Sequence, residues 1–167
     1  MKSQRACARE AIVGRLLRET GLSLCVAESC TGGLATHRIT NVPGSSAYFK
    51  GGLVAYANEV KEQLLSVRAE TLREFGAVSR ETAQEMAVCA RRLFQTDIAL
   101  AITGITGPTG ATPQKPVGLT YIALDAEDAQ LCRKYIWASD RLGNKEHSAE
   151  AALQMLEAYL EGKGPKM

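Results

Sequence analysis

Hydrophobic and polar positions follow two different periods along this chain, and each change of period marks an element. Over residues 4 to about 20, Ala8, Ile12 and Leu16 fall at i, i+4 and i+8 beside Val13 and Leu17, the spacing of one helical face, and Gly21 supplies the stop. The helical period ends there. "LSLCVA", from Leu22 to Ala27, is a short, mostly apolar run bounded by Gly21 and the turn "ESCTGG", as expected of a buried strand. A helix is predicted from near Thr31 to about Asn41, a loop over "NVPGSSAYFKGG", and a second strand in "LVAYA". Asn58 is placed to cap a short helix through Leu65. The clearest helix runs from Ser79 to Gln95, where Ala83, Met86, Ala87, Ala90 and Phe94 form one apolar stripe and Ser79 can cap it. "DIALAIT" reads as an apolar strand running into "GITGPTGATPQKP", the longest stretch rich in glycine and proline. Two more strands are expected around "VGLTYIAL" and "CRKYIW". A last helix carries Ala149, Ala152, Leu153, Leu156 and Leu160 on one face, and the tail "EGKGPKM" reads as frayed.

Strands alternate with helices through the first hundred residues and an antiparallel pair follows. This order predicts an α/β fold, a three-layer α/β/α single domain with a mixed β-sheet, over residues 1–167. Sheets of this kind place sites at the carboxyl ends of their strands, so the loops after Ala27 and Thr103 are the first places to look.

Composition narrows the partners. With 46% hydrophobic and 23% charged residues, and no run near the roughly 18 apolar residues of a membrane span, the chain reads as a soluble globular protein without a membrane partner. The start "MKSQRACARE" has no apolar signal core, so a cytoplasmic location is expected. The five cysteines (Cys7, Cys25, Cys30, Cys89, Cys132) are odd in number and contain no C-x-x-C, the pattern of reduced thiols rather than of a disulfide framework or zinc site. His37 and His147 have no partner at i, i+4, and no metal is expected. The 20 basic and 18 acidic residues are intermixed and aromatics are only 5%, which supports a small-molecule partner and no nucleic acid.

Three polar loops carry candidate chemistry. "GITGPTG" lacks the G-K-[ST] ending of a P-loop, and Gly104, Gly107 and Gly110 are not spaced as G-x-G-x-x-G. There is no G-x-S-x-G elbow and no histidine close in sequence to a candidate serine, so a serine nucleophile needs another base. Lysine can serve when burial lowers its pKa, and Lys50 and Lys61 are the candidates. Tyr56 and Lys61 are placed to face Ser45 or Ser46 across the preceding loop, although Lys61 read by periodicity alone is a solvated helix residue. Cys30 is a rival nucleophile, because a helix start favours its thiolate. Alternatively, Ser29 or Thr31 only caps a helix while Gly32 and Gly33 allow close packing.

The segments "AESCTGGLA", "VPGSSAYFKGGLVAYANEVK", "GAVSRETAQEMA", "TGITGPTGATPQKPVG" and "SDR" occur in the order found in the CinA C-terminal domain family, which the chain resembles over about residues 7 to 160. Stand-alone members resemble nicotinamide-nucleotide amidase, which hydrolyses nicotinamide mononucleotide to nicotinic acid mononucleotide and ammonia. The resemblance therefore implies a cofactor-free amidohydrolase without the nucleotide-hydrolysing domain of full-length CinA proteins, and a homodimer. It further implies Ser46 as nucleophile with Ser45 beside it, Lys61 as base, and Tyr56 as the partner of that base. Glu28, Ser29, Thr31 and Gly32, with Thr103, Gly104 and Arg141, become the remaining walls of the site, and the choice of nucleophile among Ser45, Ser46 and Ser29 stays open. The chain departs from the family pattern at Thr106, Ala111, Gln114, Ser139 and Lys145, which motivates a second expectation, a paralogue that binds nucleotide without turning it over. A thiol enzyme using Cys30 is the third.

Overall fold

The computed structural model describes residues 8–163. Cys7 and the end of the tail, residues 164–167, lie outside it. Helix α1 (Arg9–Thr20) leads into β1 (Leu24–Glu28), α2 (Leu34–Thr40), a single 3-10 turn (Ser45–Ala47) and β2 (Phe49–Val54). Then come α3 (Asn58–Gln63), α4 (Ala69–Phe75), α5 (Arg80–Phe94), β3 (Ile98–Gly104), β4 (Leu119–Ala126), β5 (Ala129–Ile136) and α6 (Arg141–Glu161).

The five strands form one sheet in the order β2-β1-β3-β4-β5. β1 is parallel to both β2 and β3, whereas β4 runs antiparallel to β3 and to β5. The sheet is therefore mixed, as the sequence predicts. Side chains alternate across it. Leu24, Val26, Leu100, Ile102, Ile122 and Leu124 point to a layer made by α1, α2 and α6, where they meet Leu17, Ile39, Leu153 and Leu156. The opposite face is built of small side chains, Cys25, Ala27, Ala99, Ala101 and Ala123, against which α5 sets Ala83, Met86, Ala87 and Ala90. Small side chains on both sides let α5 pack directly on the strands, and its buried residues fall at the helical spacing read from the sequence.

Local signals explain most boundaries. Gly21 ends α1 in the left-handed conformation (φ 65°), and the Ser79 hydroxyl accepts from the Thr82 N–H at 3.1 Å to cap α5. Two expectations fail. The residue capping α3 is Ala57, with no side-chain cap, so Asn58 is the first helical residue rather than the cap. β2 begins at Phe49, upstream of "LVAYA": as an edge strand it alternates half-buried and exposed residues and tolerates glycines that disguise the pattern. Helix α4 was not anticipated, being a seven-residue segment with only Thr71 and Leu72 buried.

Topology fixes where a site can form. The β1–α2–β2 crossover packs on the α1/α6 face and the β2-to-β3 connection, with α5, on the other, so the carboxyl end of β1 lies where the chain departs to opposite faces. The β4 start and β5 end share that edge, since Leu119 pairs with Ile136 and Gly104 with Thr120. The N-terminus of α6 is thereby brought to the same place.

Candidate functional site

Four segments meet at this carboxyl edge. A cavity of about 290 Å³ is walled by Ser29 after β1, Tyr56 and Lys61 after β2, Thr103 to Gly107 at the end of β3 and beyond it, and Arg141 at the start of α6. Ser29, at 8% exposure, has its main-chain N–H held by the Ile102 carbonyl at 2.9 Å, which ties the turn to the end of β3.

Lys61 is the most unusual side chain of the fold. Among the described residues it is the largest fully buried side chain, 1% exposed, and its Nζ hydrogen-bonds only to neutral oxygens: Ala55 O at 2.8 Å, Tyr56 O at 3.2 Å and Ser29 Oγ at 3.2 Å. Among the described residues no carboxylate pairs with it, so burial lowers its pKa below the ordinary 10.5, with the Cys30 thiol acting weakly the other way. The geometry suits a neutral amine. Two N–H groups can donate to the two carbonyls while the nitrogen lone pair faces the Ser29 hydroxyl. The solvated-helix reading of Lys61 is thus corrected: in the six-residue α3, Lys61 is the residue turned into the interior.

The serines of "PGSS" lie elsewhere. Ser45 and Ser46 occupy the 3-10 turn before β2, whose first residue Phe49 pairs with Leu24 at the amino end of β1. Five residues of strand separate that end from Val54, about 16 Å at the usual rise. Ser46 is exposed and Ser45 half-buried, and neither lines the cavity of Lys61; Lys50, on the same stretch, is likewise remote. The expected Ser46–Lys61 pairing is therefore corrected to Ser29–Lys61, for a topological reason: β2 is parallel to β1, so segments before and after it fall at opposite edges of the sheet.

Other expected residues change roles. Tyr56 meets Lys61 through its main-chain carbonyl, while its phenol, in a side chain 59% exposed, accepts from Arg141 Nη2 at 3.1 Å. Arg141 Nη1 also donates to Gly107 O at 2.5 Å, so the guanidinium straps the glycine-rich loop to the cavity mouth using neutral acceptors. Glu28 is not a wall of the cavity. It is fully buried, and its carboxylate accepts from the N–H groups of Gly33, Ala35 and Thr36 at 3.1, 3.1 and 2.8 Å, capping the first turn of α2. Thr103 lines the cavity with its hydroxyl committed to Ala77 O at 2.7 Å. Thr31 and Gly32 face a neighbouring cavity instead. Cys30 departs from expectation as well. Helix α2 starts only at Leu34, and burial at 5% exposure pushes the thiol up to about 12, so it is held protonated.

Sequence reasoning missed Asn144. This fully buried side chain donates from Nδ2 to Thr106 O at 3.1 Å and accepts from the Ser139 N–H at 3.2 Å, fixing the glycine-rich loop against α6. One Asn in a helical stripe carries no pattern that would single it out. The loop itself lines the cavity, and among the described residues the N–H groups of Thr106, Gly107, Thr109 and Gly110 donate to no acceptor. Gly104 is required by space, because a Cβ there would come within 2.8 Å of Leu119 O and 3.0 Å of Cys30 Sγ. Ala111, in contrast, is exposed and has no left-handed backbone, so alanine at this position introduces no strain.

A sequence profile of the CinA C-terminal domain matches residues 7–160. A putative competence-damage inducible protein of Desulforamulus reducens is 47% identical over 154 residues, covering 92% of this chain and 37% of its own length. A CinA-like protein of Chloroherpeton thalassium is 50% identical over 153 residues, with 89% and 36% covered. The chain thus spans little more than a third of the length of these curated relatives. Among solved structures, a CinA superfamily protein of Klebsiella pneumoniae superposes with a TM-score of 0.89 at 30% identity, covering 92% of this chain and 96% of the other. The competence/damage inducible protein CihA of Agrobacterium tumefaciens gives 0.86 at 39% identity, covering 92% and 95%. Profile, sequence and structure agree, and the chain belongs to the CinA C-terminal domain family.

Proposed function

We propose that this chain is an amidohydrolase converting nicotinamide mononucleotide to nicotinic acid mononucleotide and ammonia, with Ser29 as nucleophile and Lys61 as its base. The observation that carries the reading is the approach of the buried, uncompensated Lys61 Nζ to Ser29 Oγ at 3.2 Å. Neutral Lys61 takes the hydroxyl proton as Oγ attacks the carboxamide carbon. The C–N bond then breaks as the lysine ammonium returns that proton to the departing nitrogen, which leaves as ammonia. Water attacks the acyl-serine, giving up a proton to Lys61, and the carboxylic acid departs as Ser29 is re-protonated. The 106–110 loop lines the same cavity and has N–H groups without acceptors among the described residues, which makes it the candidate donor for the developing oxyanion, since Ser29 N–H is already bonded to Ile102. Nucleophile and base are both side chains, so the scheme needs neither metal nor organic cofactor. A homodimer, checked by light scattering, belongs to the same proposal.

The test is ammonia release from nicotinamide mononucleotide with a chelator present, for wild type and for Ser29→Ala and Ser46→Ala in parallel. Release that survives the chelator, vanishes in Ser29→Ala and persists in Ser46→Ala is the expected result. Loss in Ser46→Ala alone would overturn the assignment of the nucleophile. Saturable nucleotide binding without any release by wild type would favour the binding-module alternative.

A further inference from the structure

A second cavity adjoins the first across the Ser29–Gly33 turn. It has a volume of about 320 Å³, lies between α2 and α6, and is walled by Thr31, Gly32, His37, Leu142, Lys145 and Glu146. Lys145, half-buried, makes no hydrogen bond or ion pair among the described residues. Thr31 is fully buried against this cavity and its hydroxyl has no hydrogen-bond partner, an unusual condition for a buried polar atom. The nearest interior carboxylate, Glu28, cannot serve either group, because it is taken up by the amides of Gly33, Ala35 and Thr36. Gly32, in the left-handed conformation (φ +63°), leaves open the space beside the lysine: a Cβ built there would sit 3.5 Å from Lys145 Nζ.

The two cavities are close enough for one small ligand. Thr31 follows Ser29 by two residues, at most about 7 Å of chain. Arg141, on the wall of the first cavity, and Lys145, on the wall of the second, are four residues apart on α6, a little over one turn, about 6 Å along its axis. The Cys30 thiol, on the wall of the first cavity, feels both Lys61 and Lys145. A ligand with its amide at Ser29 and an anionic group directed toward Lys145 would draw on the walls of both cavities.

We infer that the α2/α6 cavity is the phosphomonoester compartment of the substrate cleft, with Lys145 as the cation that selects a phosphorylated substrate and the Thr31 hydroxyl as a further donor. The inference rests on the amidohydrolase reading for the reacting end of the ligand and on the residues of this cavity for the phosphate end. Glu146, exposed on the same rim, opposes an anion there, so its removal should strengthen binding.

The experiment compares kcat/KM for nicotinamide mononucleotide and for the phosphate-free riboside in wild type, Lys145→Gln, Lys145→Arg and Glu146→Gln, with inorganic phosphate as inhibitor. In Lys145→Gln the preference for the nucleotide over the riboside should fall about tenfold, through KM, and should be restored in Lys145→Arg. Phosphate should inhibit wild type competitively, more weakly in Lys145→Gln and more strongly in Glu146→Gln. An unchanged preference in Lys145→Gln, or phosphate inhibition that is not competitive with the nucleotide, would overturn the inference. Should wild type release ammonia from neither substrate, the amidohydrolase reading fails on its own. Amide chemical shifts of Gly32 and Gly33 titrated with inorganic phosphate then decide about the site: a saturable shift weakened in Lys145→Gln supports it, and no shift, or one indifferent to that change, refutes it.

Discussion

Replacing Lys61 tests the central pair most directly, because methionine matches its stem while removing the nitrogen. General-base assistance contributes about 10² to 10⁴ in rate, equivalent to about 3 to 5 kcal/mol of barrier. Lys61→Met should therefore lower kcat by at least about a hundredfold. The structure predicts a much smaller effect on stability. Ala55 O and Tyr56 O each lose a donor, at about 1 kcal/mol apiece, while the burial of an uncompensated amine is relieved at the same time. The melting temperature should move by only a few degrees, at about 2–4 °C per kcal/mol for a chain of this size. Lys61→Arg, which cannot deprotonate, should be as inactive as the methionine variant. The pH dependence carries the sign of the argument. Since the neutral amine is the working form and burial lowers its pKa, kcat/KM in wild type should rise with pH through an inflection below 10.5 and flatten above it. Between that lowered pKa and 10.5 the unfolded chain binds more protons than the folded one, so the contribution of Lys61 to stability also rises with pH across this window. Ammonia release from pH 6 to 10.5, paired with thermal melts of each variant, gives both readouts. Activity within threefold of wild type in a folded Lys61→Met protein would refute Lys61 as the base.

Cys30 should resist iodoacetamide in the folded protein at neutral pH, since its thiol is buried and held protonated with a pKa of about 12; among the four described cysteines, peptide mapping should find label on the half-buried Cys89 and Cys132 first, with activity retained. Asn144→Ala should destabilise the fold by about 1–3 kcal/mol, because the buried Thr106 carbonyl loses its donor, and should weaken turnover through the slackened loop, read by a thermal melt beside ammonia release. Gly104→Ala places a methyl group against Leu119 O and Cys30 Sγ, and a loss of about 1–3 kcal/mol in a denaturant melt is expected of that overpacking.

Some of this was written along the chain. Every strand but the glycine-bearing edge strand β2 could be placed to within a few residues, as could the α5 stripe with its Ser79 cap, because burial on one or both faces leaves a period that local spacing records. The three-layer arrangement and the mixed sheet follow from the order of those elements. Short pieces such as α4, and glycines in β2, leave too little periodic signal to read.

The site was legible in its parts and not in its pairing. "ESCTGG", Lys61, the "TGI" loop and Arg141 could each be singled out from sequence, and they do converge at one edge of the sheet. Which serine meets the lysine depends on strand direction: β2 runs parallel to β1, sending Ser46 to one end and Lys61 to the other, beside Ser29. Chemical character was decided at the same level, because burial turns Lys61 into a candidate base and Cys30 into an inert thiol, and a residue's distance from water is set by elements far from it in the chain. Local sequence determines which segments bury a face; only their packing determines which side chains share a cavity.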